Sequence, residues 1–286
     1  MPDLDTLLER VEGLLERLEG VLPNPTGEVD WSHHAFRWRG ARVGGRLQPI
    51  RQPHRVTADD LLCMERQKAE ILRNTAQFVA GRPANNVLLW GSRGTGKSTL
   101  IKAAFNAFRD QGLRLIEVDK NHLVELPDIV DCLFERPERF MVFCDDLSFE
   151  ADDAGYKSLK AVLEGSAAAP PENVLVYATS NRRHLMPEYQ RENQEARMVN
   201  GELHQGETVE EKVSLSERFG LWLSFYPFDQ EQYLEICNHW LRKLGTADTA
   251  DAAVREAALQ WARYRGSRSG RVARQFALDR AGRTAG

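Results

Sequence analysis

Residues 88–100, LLWGSRGTGKSTL, carry the clearest chemical signal in the chain. An apolar run ends there in three glycines, a lysine and two hydroxyl side chains, in the order G-x-x-x-x-G-K-[ST]. Glycines let successive backbone N–H groups turn towards one centre, and the lysine adds a positive charge beside them. Phosphate oxygens are the ligands that suit this combination. The stretch therefore predicts a phosphate-binding loop formed by Gly91, Ser92, Arg93, Gly94, Thr95, Gly96, Lys97, Ser98 and Thr99.

Two side chains of this loop would have separate tasks. Lys97 would neutralise the β- and γ-phosphates of a nucleotide, and the Ser98 hydroxyl would bind Mg²⁺. Residues 86–90 have the composition of a buried strand and residues 97–110 the spacing of a helix, whose N-terminus adds the positive end of its dipole. This context favours ATP and Mg²⁺ as ligands over a glycine-rich turn without function.

Two carboxylates follow a second buried strand, in residues 140–146 (FMVFCDD). Asp145 is placed to hold Mg²⁺ through water, and Asp146 could orient the attacking water molecule. Glu150 is the alternative for the second task, because its longer side chain could reach back. Two solvated loop aspartates are the alternative without function. Ser98 and Asp145 are thus the predicted metal ligands.

Polar residues near the later strands complete the predicted site. Asn181 follows a buried strand, where its amide could hold the attacking water or a γ-phosphate oxygen, although asparagine is also common in turns. Arg218 precedes the last strand, at a sheet edge where it could act on a neighbouring subunit's nucleotide, or it could pair with Glu217 or another acid. Arg271 and Arg274 share one face of the last helix, and one of them could close over the nucleotide.

Composition limits the class of protein. The chain has 286 residues, of which 42% are apolar and 28% charged, as in ordinary globular proteins. A net charge of −4 argues against coating nucleic acid through bulk charge and leaves local basic patches open. The sequence lacks an apolar run of membrane-spanning length, and its acidic start does not resemble a secretory signal. We expect a cytoplasmic protein without a membrane partner.

Two segments before residue 59 are distinctive. Residues 4–22 carry leucine or valine at alternating spacings of four and three, which predicts a helix with one apolar seam, packed on its own domain or on a partner. Residues 31–56 contain six arginines interleaved with aromatic residues and no acid. This segment could bind nucleic acid through phosphates and bases, or it could be a linker lying across an acidic surface of the same protein.

The rest of the chain alternates between strand and helix patterns, which predicts a parallel five-stranded sheet with helices on both faces. Residues 230–286 contain helical patterns only, as expected for a small α-helical lid. The predicted domains are residues 1–58, 59–228 and 229–286. The predicted strands are residues 87–90, 113–118, 140–144, 174–178 and 221–225. A helix is predicted before them, at residues 61–81, and helices between them at residues 97–110, 123–135, 155–165 and 188–200.

The ordered set GSRGTGKST, FCDDLSFE, YATSN, SERFG and SGRVARQF resembles the AAA+ ATPases, a group of P-loop NTPases, over residues 59–286. The full set of phrases also resembles a bacterial AAA+ family known only as a domain of unknown function. The resemblance implies the following roles: residues 91–98 form the Walker A loop, Asp145 and Asp146 the Walker B pair, Asn181 sensor one, Arg218 the arginine finger and Arg271 the sensor-two arginine.

The resemblance also implies an activity. AAA+ proteins usually assemble as rings, often hexamers, with ATP at each subunit boundary, so we expect an oligomeric ATPase that remodels or loads a macromolecular client. Most motors of this superfamily have glutamate where this chain has Asp146. Because aspartate is one methylene shorter, the alternative is a slow nucleotide-gated switch or binding module for a DNA or protein partner. The resemblance does not name the client.

Overall fold

The computed structural model describes residues 29–40, 45–134, 136–149, 153–165, 171–183, 185, 197–199, 202–204, 215–246 and 251–284. The predicted N-terminal helix, residues 4–22, lies outside the described residues. Glu150 and most of the segment 187–213 lie outside them as well. Within the described part of the chain, no helix has the length and apolar character needed to cross a lipid bilayer.

Strands and helices follow one another along most of the chain, as the sequence predicts. The strands are β1 (Ala35–Arg39), β2 (Arg46–Pro49), β3 (Val87–Gly91), β4 (Leu113–Val118), β5 (Arg139–Cys144), β6 (Val174–Ser180), β7 (Arg197–Val199), β8 (Glu202–His204) and β9 (Leu221–Phe225). The α-helices are α1 (Glu65–Val79), α2 (Lys97–Phe108), α3 (Leu126–Leu133), α4 (Ala154–Glu164), α5 (Gln230–Lys243), α6 (Ala252–Arg265) and α7 (Gly270–Thr284).

The main sheet has the order β2-β1-β4-β5-β6-β3-β9. All of its neighbouring strands are parallel except β2, which runs antiparallel to β1 at the edge. The predicted α/β class with a parallel sheet is therefore confirmed. The predicted number of strands is corrected from five to seven, because β1 and β2 extend the sheet beyond β4.

The two additional strands lie within residues 31–56, so the interpretation of this whole segment as a linker is wrong. Phe36 and Trp38 are buried in the core, whereas Arg37 and Arg39 between and after them are exposed. This alternation is the period-two pattern of a strand with one buried face. The aromatic side chains therefore belong to the core, and β1 pairs with β4 in parallel from Ala35 onwards.

Alternate residues of the central strands fill a core on each face of the sheet. Leu89 of β3 packs with α1, α2 and the C-terminal helices on one face, and Leu88 packs with α3 and α4 on the other. Both leucines are fully buried. Because the central strands are covered on both sides, their carboxyl ends are held at one rigid edge, where the predicted site residues follow.

Three helices, α5 to α7, end the described chain, as predicted for the lid. Trp261 of α6 contacts Phe276 of α7, with ring centroids 6.2 Å apart.

The helix predicted for residues 188–200 is wrong where the structure describes its end. Arg197–Val199 is strand β7, which pairs antiparallel with Glu202–His204. Arg, Met and Val in this short run carry too weak a periodic pattern to separate helix from strand.

Candidate functional site

The phosphate loop connects the end of β3 to the start of α2. Gly91 has φ 126°, and a Cβ atom added there would lie 2.0 Å from the carbonyl oxygen of Phe225, so only glycine fits between β3 and β9. The next residue, Ser92, donates its backbone N–H to the same oxygen at 2.9 Å. Gly94 and Gly96 also have positive φ, of 76° and 101°. The loop therefore turns back over the N-terminus of α2.

Lys97 begins α2, and its side chain is turned back into the loop. The residue is buried, with 6% exposure. Its ammonium group donates to the carbonyl oxygens of Gly91 at 2.9 Å and Ser92 at 2.8 Å, and to Oδ1 of Asn181 at 3.2 Å. The lysine thus joins the loop to the end of β6 and carries the positive charge that the sequence predicts at this point.

Burial lowers the pKa of Lys97 below its ordinary value, because a charged ammonium loses water contacts there. The carboxylates of Asp146 and Asp145 act in the opposite direction, whereas the guanidinium groups of Arg271 and Arg93 lower the pKa further. A phosphate ligand would bring negative charge to this cationic group. Incoming anions are therefore favoured here by electrostatics as well as by hydrogen bonding.

Asp145 follows β5, and its Oδ1 accepts two hydroxyl hydrogen bonds. Ser98 Oγ donates at 2.6 Å and Thr179 Oγ1 at 2.5 Å. The carboxylate and the Ser98 hydroxyl form a pair of neighbouring oxygen ligands, which is the chemistry that Mg²⁺ prefers. Among the described residues there is no cluster of three His, Cys, Asp or Glu side chains suited to a metal ion. This donor set fits Mg²⁺ bound with help from nucleotide phosphates and water, not a metal held by protein alone.

Asp146 is held in a specific conformation at the end of the same strand. Its φ is 53°, a region that non-glycine residues rarely adopt. The backbone N–H donates to Thr179 Oγ1 at 2.8 Å, and its Oδ1 accepts a hydrogen bond from Nδ2 of Asn181. Asn181 therefore contacts Lys97 through its oxygen and Asp146 through its nitrogen. The structure brings together the predicted Lys97, Ser98, Asp145, Asp146 and Asn181.

Arg218 lies away from this cluster and is engaged within its own chain. Its guanidinium pairs with the carboxylate of Glu164, at the end of α4. The Arg218 side chain is 21% exposed. The sequence allowed Arg218 to pair with Glu217 or another acid, and in the structure that acid is Glu164. In this structure Arg218 is a residue of the surface beside the start of β9.

The two lid arginines have different surroundings. Arg271 donates its backbone N–H to the carbonyl oxygen of Gly94 at 3.3 Å, and its charge acts on Lys97. Arg274 instead lies over the ring of Trp240, with 5.1 Å between the guanidinium carbon and the ring centroid. Only Arg271 of the two therefore adjoins the phosphate loop. Arg274 packs against α5 within the lid.

A cavity of about 160 Å³ lies beside the phosphate loop. Met64 and Gln67 line it from the start of α1, Thr95 from the loop, and Gln232 from the lid. Gln67 is fixed by a hydrogen bond from its Nε2 to the carbonyl oxygen of Ser224, at 2.9 Å. The remaining lining residues are Cys63, Phe225, Tyr226, Pro227 and Phe228. The cavity combines apolar walls with a few polar groups, as ligand sites commonly do.

Two parts of this site were not predicted from the sequence. Thr179 is 2% exposed and joins Asp145 to the backbone of Asp146, yet within the run YATSN it looks like one more strand residue. The signal available was its position two residues before Asn181, which puts both side chains on the same face of the strand. No sequence motif predicts the cavity beside the loop, because its walls come from three separate stretches of chain.

Comparison with known proteins identifies the family of the chain and structures that share its fold. The chain matches the family model "Protein of unknown function (DUF815)" over residues 31–284. Among solved structures it is similar to a RuvB variant from Thermotoga maritima, with TM-score 0.52 and 18% identity, covering 78% of this chain and 63% of that chain. It is also similar to the FIGL-1 AAA domain in complex with ADP, with TM-score 0.50 and 16% identity, covering 80% of this chain and 73% of that chain.

The chain thus spans less than two thirds of the length of the RuvB variant, and identities this low indicate a shared fold. No curated protein sequence matches the chain significantly. The chain therefore shares its fold with these neighbours, one of which is described as an AAA domain. The family match covers most of the chain, and the protein therefore belongs to the family described as "Protein of unknown function (DUF815)".

Proposed function

We propose that this protein binds ATP with Mg²⁺ and hydrolyses it. The observation that carries the proposal is the hydrogen-bonded network at the sheet edge, in which Lys97, Ser98 and Asp145 meet Thr179 and Asn181. A buried cation, an oxygen pair suited to Mg²⁺ and two polar groups at the next strand ends are what phosphoryl transfer to water requires. An α/β protein without such a function would have little reason to bury Lys97.

Each residue has a task under this proposal. Lys97 exchanges its carbonyl partners, Gly91 and Ser92, for β- and γ-phosphate oxygens, and the loop N–H groups donate to the same phosphates. Ser98 and Asp145 hold Mg²⁺, which neutralises charge on the β- and γ-phosphates when bound. Asp146 and Asn181 orient the attacking water and a γ-phosphate oxygen. Arg271 interacts with the nucleotide from the lid, and the cavity beside Met64 receives the base.

The geometry at Asp146 favours a slow switch as the second candidate. The Asp146 carboxylate and the Asn181 amide, the two groups proposed to handle the water, are hydrogen-bonded to each other. They have to separate or share that bond before either can orient a water molecule. A nucleotide-gated switch that resets slowly would use this arrangement, whereas a fast motor would be delayed by it. Glu150, the other candidate for water activation, lies outside the described residues.

Oligomer formation is part of the same proposal. In a ring, Arg218 would stabilise developing charge on a neighbouring subunit's nucleotide. Assembly would then have to break its ion pair with Glu164. The work done on a macromolecular client, whether remodelling or loading, would follow from that change at the subunit boundary. We place this activity in the cytoplasm, where ATP is available.

Steady-state phosphate release tests the proposal. Lys97→Ala removes the buried cation and is expected to reduce turnover by at least about 100-fold, while Asp146→Asn retains nucleotide binding and loses turnover. Lys102→Ala is the matched control, because Lys102 lies on the same helix and contacts the ring of Phe143 instead. Equal turnover in the two lysine variants would refute the assignment. Wild-type turnover below roughly one per second favours the switch, and faster turnover the motor.

A further inference from the structure

A cavity of about 580 Å³ opens at the amino end of the parallel strands, far from the phosphate loop. Its walls include His34, immediately before β1, and Arg109 and Asp110, just before β4. Because these strands are parallel and the phosphate loop follows the carboxyl end of β3, the two cavities lie at opposite edges of the sheet. Arg51 and Arg55 complete the charged part of the lining.

The charge around this cavity is unbalanced. Three arginines, Arg51, Arg55 and Arg109, face one acid, Asp110, which lies 3.6 Å from Nε of Arg109. That Nε atom is buried and has no hydrogen-bond partner within the described chain. Arg51 and Arg55 are exposed, and no carboxylate of the described residues is within ion-pair distance of either. The lining therefore carries more positive than negative charge and has hydrogen-bond donors that an anion could use.

The neighbouring β1–β2 hairpin continues the positive charge. Arg39 and Arg46 are directly opposite each other in the register and are both exposed. Like charges in that arrangement destabilise a pair of strands. Arg39 donates to the amide oxygen of Gln48 at 2.8 Å, and neither arginine has a carboxylate partner in the described part of the chain. By contrast, Arg37 is neutralised by Glu117, with Nη2 and Oε2 2.6 Å apart.

These arginines form one surface, here called the basic strip and defined as Arg39, Arg46, Arg51, Arg55 and Arg109. Arg39 and Arg46 lie on the face of the hairpin opposite the buried Phe36 and Leu47. The segment carrying Arg55 runs along α2 on that same face, where Asn106 donates to the carbonyl oxygens of His54 and Val56. All five members of the strip therefore belong to one side of the sheet.

The extent of the strip indicates an extended ligand. Arg46 and Arg51 are five positions apart, which corresponds to roughly 17 Å of extended chain. A nucleic-acid strand carries one phosphate for about every 3.4 Å of its axis, so several phosphates fit alongside. A single small phosphate compound would fill the cavity and leave Arg39 and Arg46 unpaired. An extended polyanion accounts for the whole strip.

The packing of the aromatic residues excludes base stacking from this contact. Phe36 and Trp38 are buried in the core. Trp31 packs against the ring of Phe140, with centroids 5.5 Å apart, and against the guanidinium of Arg136 at 4.2 Å. None of these three rings is available for stacking on a base. The contact that remains is made by arginines, whose hydrogen bonds to phosphate oxygens carry no sequence information.

We propose that the basic strip binds the phosphate backbone of nucleic acid, independently of base sequence. The strip runs along the outer strands β1 and β2, which β4, β5 and β6 separate from β3 and its phosphate loop, so none of its residues belongs to the proposed ATPase site. It gives the protein a second ligand site and a class of macromolecular partner. The arginine-rich segment contributes phosphate contacts, and its aromatic residues contribute to folding.

Fluorescence anisotropy with the full chain and labelled 30-nucleotide single and double strands of two unrelated sequences tests this proposal. Arg51→Gln with Arg55→Gln should weaken duplex binding about 50-fold near 0.1 M salt and reduce the slope of log affinity against log salt by about two, because each phosphate contact contributes about 0.9. Arg73→Gln with Arg283→Gln is the control: it removes the same charge from arginines already paired with Glu70 and Asp279.

The control double variant should bind within a few-fold of wild type, and the two unrelated sequences should bind alike. Absence of nucleic-acid binding, equal losses in the two double variants, or strong sequence preference would overturn the proposal. Binding of polyglutamate in place of nucleic acid would overturn it as well, since the strip would then serve an acidic protein. If the first double variant does not fold, Arg39→Gln with Arg46→Gln provides the same test on exposed strand positions.

Discussion

Thr179 is the residue on which the arrangement of the two acidic side chains depends. Its hydroxyl donates to the carboxylate of Asp145 and accepts the backbone N–H of Asp146. One buried oxygen therefore fixes both the proposed metal ligand and the unusual backbone of its neighbour. Asp145 also accepts from Ser98, so the phosphate loop and β5 are joined to β6 through this threonine.

Thr179→Val keeps the shape of the side chain and removes the hydroxyl. We expect turnover to fall by about 100-fold, because small displacements of catalytic groups have effects of that size. ATP affinity should stay close to the wild-type value, since Lys97 and the loop are untouched. Thr179→Ser restores the oxygen and should recover most of the activity. Wild-type turnover in the valine variant would show that the two aspartates do not need this support.

At this scale the sequence predicted which side chains lie together where a motif exists. The cluster of Lys97, Ser98, Asp145, Asp146 and Asn181 follows from strand ends that meet at one edge of a parallel sheet. Thr179 was not predicted, because a threonine inside an apolar strand is also a common strand residue. The partner of Arg218 could not be predicted either, since Glu164 is distant in the sequence and approaches it only in the folded chain.

Helix α1 is tied to the central sheet by a buried polar contact. Asn74, which is 1% exposed, donates to the carbonyl oxygen of Asn85 at 2.9 Å and to the hydroxyl of Tyr177 at 3.2 Å. Its own oxygen accepts the backbone N–H of Asn85 at 3.0 Å. Thr75 shares the same tyrosine hydroxyl at 2.9 Å. The helix, the approach to β3, and β6 are thereby held in one position.

Asn74→Ala should lower the free energy of unfolding by about 2–4 kcal/mol, because the buried hydroxyl of Tyr177 and the backbone N–H and C=O of Asn85 each lose a partner. Equilibrium urea denaturation measures this change. Arg73→Ala, one position earlier on the same helix, removes an exposed pair with Glu70 and should change stability by no more than about 0.5 kcal/mol. Similar losses in the two variants would contradict a structural role for the buried asparagine.

Strands and helices with long apolar patterns were predicted more accurately than those with short ones. The five predicted strands are apolar runs between turn residues, and each begins and ends within two residues of its predicted position. The helix predicted for residues 123–135 divides into a short 3₁₀ segment, Lys120–Glu125, and α3. Strands β1 and β2 are short, lie at the edge and carry arginines on one face, so their composition is typical of a loop as well.

At the scale of the whole molecule, the role of Arg218 distinguishes hydrolysis by a single chain from hydrolysis at a boundary between two subunits. In the single chain it is paired with Glu164, away from Lys97. If the proposed ring forms, Arg218 of the adjacent subunit would complete each catalytic site. Activity would then depend on assembly, and variants defective in different halves of the site would complement each other.

A mixing experiment tests this dependence. Lys97→Ala and Arg218→Ala chains are each expected to be inactive. Mixed in equal amounts before assembly, they should regain about a quarter of wild-type turnover, because one boundary in four then has both intact residues. Each variant mixed with wild type gives the reference curve for subunit exchange. No recovery in a mixture shown to exchange subunits would mean that Arg218 does not act across a boundary.

Direct titration of nucleotide tests the central claim most simply. Calorimetry of the wild-type chain with Mg²⁺ and a non-hydrolysable ATP analogue should show one site per chain with a dissociation constant in the range of about 1–100 μM, similar to the substrate constants of ordinary enzymes. Lys97→Ala, with its fold intact, should bind at least about 100-fold more weakly, because the charged hydrogen bonds to phosphate are lost. Absence of binding to the wild type, or equal affinity in the variant, would contradict a nucleotide site at the phosphate loop.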